Sequence, residues 1–101
     1  MNRVNVEPVI THVVMMKLTD PADTIEAVER LQYMDGKIPD LLSIEVLADA
    51  LHRDGAYDLV LRSTHADEAG LVGYLEHPEH QALLAWLRPR LARRAVIDAV
   101  S

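Results

Sequence analysis

The chain has 101 residues, enough for one domain with a modest core, and half of them are apolar against 26% charged, an ordinary globular balance. Sixteen Asp and Glu outweigh ten Lys and Arg for a net charge of −6, which argues against non-specific binding to nucleic acid or an anionic membrane. There is no cysteine, so disulfides, thiolate nucleophiles and cysteine-ligated zinc or iron–sulfur sites are excluded.

Residues 1–8 read as a frayed polar leader to a single domain over 9–101. No apolar run approaches the ~20 residues of a membrane span and no signal-type h-region follows the leader, so a cytoplasmic protein without membrane partners is expected. Val9 to Leu18 predicts a strand apolar on both sides, with Ile10, Val14, Met16 and Leu18 on one face and Val9, Val13 and Met15 on the other. Such a strand must be covered on both sides. Thr19-Asp20-Pro21 supplies a capping side chain and a proline pre-set for the first turn of a helix. Ile25, Val28, Leu31 and Gln32 continue it at helical spacing, and Asp35-Gly36 with Pro39 ends it.

Leu41 to Leu51 and Ala56 to Thr64 predict two strands joined through His52-Arg53-Asp54-Gly55, whose Asp-Gly step is a hairpin signal. A second helix is expected from Thr64-His65 to Glu76. His77-Pro78 breaks it and starts a third, which carries Leu83, Leu84, Leu87 and Leu91 on one stripe. Arg94 to Val100 predicts the last strand. The order gives an α+β, ferredoxin-like βαββαβ domain with a four-stranded antiparallel sheet and its helices on one face. The other face, with Val13, Met15 and Val60, is too apolar to leave wet, and a homodimer that closes the two sheets into an α/β barrel covers it most simply.

Several segments resemble the stress-responsive A/B barrel (Dabb) family in order and spacing: Thr11-His12-Val13-Val14, Gly36-Lys37-Ile38-Pro39, Tyr57-Asp58-Leu59-Val60, and the closing Arg94-Ala95-Val96-Ile97-Asp98. The most specific is Tyr74-Leu75-Glu76-His77-Pro78-Glu79-His80-Gln81. The resemblance covers roughly residues 9 to 99 and implies a dimeric α+β barrel. It also implies a family of stress-induced plant proteins, uncharacterised bacterial members and a few enzymes, among them a plant polyketide cyclase. That enzyme's cavity lies between sheet and helices, and its reacting groups, carried over residue by residue, correspond here to His12, Tyr74 and His80. A further histidine on its third strand corresponds to Leu59, which removes a polar group from the cavity.

His12 lies among apolar residues, and a buried imidazole needs partners for its donor and its acceptor. With Tyr74 and His80 it reads either as a catalytic proton-transfer cluster or as a satisfied structural one. Leu59, Leu83, Leu84 and Leu87 are the expected walls of a pocket for a hydrophobic or aromatic small molecule. His77 and His80 beside Glu76 and Glu79 invite a zinc reading, but His77 is better placed as a helix cap and no second ligand pair is evident. No metal and no cofactor is therefore expected. His52 and His65 are expected in solvent, Glu45, Asp58 and Arg62 in a salt-bridged or rim network at the barrel interface, and Trp86 in helix packing. Arg88, Arg90, Arg93 and Arg94 are expected to favour a helix C-terminus and surface acids. Two functions follow: a non-catalytic dimeric protein with a ligand-capable pocket, which the loss at Leu59 favours, and a cofactor-free enzyme of cyclase type.

Overall fold

The computed structural model describes residues 9–100, and the leader expected over 1–8 lies outside them. Strand β1 spans Ile10–Leu18, helix α1 Thr24–Gln32, β2 Ser43–Ala48, β3 Leu59–His65, α2 Glu68–Glu76, α3 Pro78–Leu87 and β4 Leu91–Val100. The sheet order is β2-β3-β1-β4 with every neighbour antiparallel, the ferredoxin-like arrangement expected from the element order. Val14, Met16 and Leu18 of β1 join Leu59 and Leu61 of β3 in the core, beneath Leu31, Met34, Tyr74, Leu83 and Leu87.

Local chemistry explains most element ends. Asp20 accepts the Ala22 N–H at 3.0 Å and opens a 3-10 turn over Pro21–Asp23 that leads into α1. Gly36, at φ +80, reverses the chain after α1, a conformation that a side chain would strain. His77 caps α3, its Nδ1 accepting the Glu79 N–H at 3.1 Å, and Pro78 takes the first helical position.

Five expectations need correction. Ile25 is 76% exposed, because α1 seats Ala27, Leu31 and the following Met34 on the sheet; the small Ala27 lets the helix approach closely. Residues 49–58 form a loop rather than a tight hairpin: the turn at Gly55 exists, with Ala56 N–H donating to Arg53 O, but pairing in the sheet runs only from Ser43 to Ala48. Helix α2 starts at Glu68, where Asp67 accepts the Gly70 N–H at 2.8 Å, because Thr64 and His65 remain paired with Thr11 and Ile10 in the sheet. Strand β4 starts at Leu91, directly after the 3-10 turn that holds Pro89. Asp58 is buried and belongs to no rim: its carboxylate accepts the Leu18 N–H at 2.7 Å and faces Lys17 Nζ at 3.6 Å, while its own N–H donates to Met16 O.

That placement makes Asp58 the clasp on the end of β1. Asp58→Ala strands the buried Leu18 N–H and is expected to lower stability by about 1–3 kcal/mol, read from urea unfolding at fixed protein concentration. Glu45 and Arg62 do form a surface pair, at 3.1 Å across β2 and β3. Trp86 packs under the guanidinium groups of Arg30 and Arg90, at 4.5 and 4.4 Å from its ring.

The sheet's outer face is apolar in rows. Register sets Leu47, Val60, Met15 and Ala95 side by side across all four strands, with Val13 and Ile97 neighbours in the next row. Met15, Leu47 and Ile97 are 42%, 55% and 61% exposed, and among the described residues the helices lie on the opposite face.

Candidate functional site

Alternation along β1 sends His12 to the helix side with Val14 and Met16. Its cross-strand neighbour on β4 is Asp98, and His12 Nδ1 lies 2.5 Å from Asp98 Oδ1. A carboxylate only accepts, so neutral His12 keeps its proton on Nδ1 and presents Nε2 as a bare lone pair. The imidazole is nearly buried, whereas Asp98, on an edge strand, is half exposed.

Tyr74 comes from α2 and His80 from the first turn of α3, and their rings lie 4.6 Å apart. The Tyr74 ring is 6.2 Å from that of His12 and 4.7 Å from that of His65. The three residues expected to share a site therefore converge, but their hydrogen bonds lead outward. His80 Nδ1 donates to Leu75 O at 3.0 Å. Burial pushes His80 down to about 4, helped by the charges of His12, Arg88 and His65 and opposed by the Leu75 bond. It is therefore neutral near pH 7 with a bare Nε2.

His65 corrects the expectation of a solvated histidine: it ends β3 and is fully buried. Its Nδ1 donates to Asp40 O at 2.8 Å and its Nε2 lies 2.9 Å from Ser63 Oγ. Burial lowers its pKa, with the Asp40 bond opposing, so the ring is neutral and Nε2 must accept from Ser63. Tyr74 is pushed up to about 12 by burial, against an opposing hydrogen bond with Ser63. The Ser63 proton is committed to His65, so one chain of donors runs from Ser63 through His65 to the Asp40 carbonyl, with the Tyr74 ring packed against it.

A cavity of about 450 Å³ separates α3 from the inner faces of β1 and β4. His12, Tyr74, His80 and Asp98 line one part of it, and the expected Leu83, Leu84 and Leu87 line another. Leu59 does not: it sits in the core beside Met16 and Ala48, and Leu61, one inward position along β3, lines the cavity instead. Sequence reasoning missed Asp98, Ser63 and His65. Only for Asp98 was there a signal, since Arg94, Val96 and Asp98 alternate onto one face of the last strand.

His80 also makes stability depend on pH. Its folded pKa lies below its unfolded value of 6.5, so the unfolded chain binds more protons between them. Its contribution is present above about pH 6.5 and is lost as pH falls towards about 4. His80→Gln is expected to flatten the fall in stability between pH 7 and 4.5 by roughly 2–3 kcal/mol, compared with wild type in urea unfolding at each pH.

The family model described as the stress-responsive A/B barrel domain matches residues 10–101. The uncharacterized protein SCO4036 of Streptomyces coelicolor is 37% identical over 84 residues, 78% of this chain and 87% of its own length. Among solved structures, a dimeric ferredoxin-like protein of unknown function from Thermobifida fusca superposes with a TM-score of 0.83 at 26% identity, covering 99% of this chain and 97% of its own. A Dabb family protein with a ferredoxin-like fold from Mesorhizobium loti has a TM-score of 0.76 at 22% identity, covering 93% and 97%.

Proposed function

Because the chain belongs to the stress-responsive A/B barrel domain family, we propose that it is a cytoplasmic homodimer in which each protomer's cavity takes an apolar, polyketide-like or aromatic carbonyl compound and moves a proton on it without a cofactor. The observation that carries the chemistry is the His12–Asp98 pair at 2.5 Å on the cavity wall. His12 alone suits a structural cluster equally well. A carboxylate on Nδ1 holds the tautomer with Nε2 free and stabilises the imidazolium that proton abstraction creates.

In that reaction His12 Nε2 takes a proton from the carbon beside the substrate carbonyl, and the electron pair moves to the carbonyl oxygen. Tyr74, which stays protonated, is the donor for that oxygen. His80, neutral and with a bare Nε2, offers a second acceptor for a hydroxyl of the substrate. The dimer is supported by the apolar rows on the outer sheet face and by the Thermobifida fusca relative, which is described as dimeric.

The second reading, binding without turnover, is favoured by Leu61, which leaves the β3 side of the cavity without a polar group. The two separate on one experiment: exchange of the protons beside the carbonyl of phenylacetone for deuterium, followed by NMR in D2O. Catalysis is expected from wild type. Exchange no faster than in buffer, with the protein folded and dimeric, would leave only the binding reading.

A further inference from the structure

The cavity has two unlike ends. His12, Tyr74, His80 and Asp98 stand at one, and Arg88 and Arg94 also line the cavity, at the other. Two elements set the separation independently. On β4 the inward positions run Arg94, Val96, Asp98, so the ends lie roughly 13 Å apart along the strand. From His80 to Arg88, the cap after α3, the backbone rises roughly 12 Å in the same sense, and the Arg88 side chain reaches part of the way back, near enough for its charge to act on His80. Leu84, Leu87 and a 46% exposed Val96 fill the interval with apolar surface.

Arg30, Arg62 and Arg90 each face a carboxylate, whereas among the described residues neither Arg88 nor Arg94 forms an ion pair. Both side chains are exposed, as are the equally unpaired Arg53 and Arg93, but of these four only Arg88 and Arg94 line this cavity, where two guanidinium groups without counter-ions can take an anion. Asp98 at the far end repels a second anion and so fixes which way the ligand enters.

We propose that the ligand is an apolar carboxylic acid whose carboxylate is held by Arg88 and Arg94, with the reacting or polar end on the order of 10 Å away at His12. The inference rests on the reading of this cavity as a ligand site. It specifies the preferred substrate class: a linear or aryl-bearing chain with one anionic terminus, of which a neutral ketone such as phenylacetone is a truncated analogue that occupies only the His12 end.

Isothermal titration of the intact protein with decanoate and with decanol tests it, since the two share a body and differ in the terminus. Decanoate is expected to bind about tenfold or more tighter than decanol, the scale of one charge-assisted contact. Arg88→Gln and Arg94→Gln should each remove most of that preference and leave decanol unchanged. Arg93→Gln, whose guanidinium stacks over Tyr57 instead, should leave both affinities unchanged. Equal affinities, or a preference that survives both cavity substitutions or falls equally with Arg93→Gln, overturn the anion site while decanol binding upholds the cavity. Binding of neither ligand at millimolar concentration overturns both.

Discussion

Met15→Glu is expected to turn a dimer into a monomer. Met15 sits in the middle of the outer face, between Val60 and Ala95 in register, with Leu47 beyond Val60 and Ile97 in the adjacent row. A two-fold dimer across this face buries the same position twice, so one substitution places two carboxylates in the apolar middle row, with the cations Arg62, Lys17 and Arg93 only in the rows to either side. An unpaired buried charge costs about 3–5 kcal/mol, and two of them exceed what an interface between small domains can spare. Val13→Glu, in the adjacent row, is expected to act in the same direction. Ile25→Glu, on the exposed side of α1, is the control and should leave the dimer intact. Sedimentation equilibrium at micromolar concentration decides the matter. A wild-type protein of monomer mass, or a Met15→Glu variant of dimer mass, removes the barrel reading.

The second large effect is expected at the His12–Asp98 pair. His12→Gln should lower the deuterium-exchange rate by about 10²–10⁴, the usual contribution of a positioned general base. Asp98→Asn should cost a smaller factor, on the order of 10², because the amide oxygen still accepts from Nδ1 but no longer offsets the charge on the imidazolium. Asp98 is half exposed on an edge strand, so its loss should leave the thermal midpoint nearly unchanged and the rate effect readable as chemistry. If Asp98→Asn exchanges protons as fast as wild type while His12→Gln does not, the carboxylate has no part in the step. If neither substitution matters, His12 is a structural histidine.

Features that depend on neighbours in the chain are legible in the residues alone. Alternation in β1 separated the core face from the outer face and put His12 on the correct side. Asp20-Pro21, Gly36 and His77-Pro78 marked helix boundaries through capping and backbone geometry, which act within a turn or two. The element order then left the ferredoxin-like sheet as the natural topology. The family segments brought His12, Tyr74 and His80 together.

Other features are set by register and by packing between distant parts. The partner of His12 lies 86 residues away, and a one-residue slip between β1 and β4 would turn Asp98 to the other face. Leu59 and Leu61 both point inward from β3, and the position of α3 over the sheet, rather than any local pattern, decides which of them meets the cavity. Thr64-His65-Ala66-Asp67 reads locally as a helix start. Pairing with β1 kept His65 in the strand, and burial then made the Asp40 carbonyl and Ser63 its partners. Each of these outcomes is a choice between alternatives of equal local quality, decided by which one completes hydrogen bonds and apolar contacts across the whole domain.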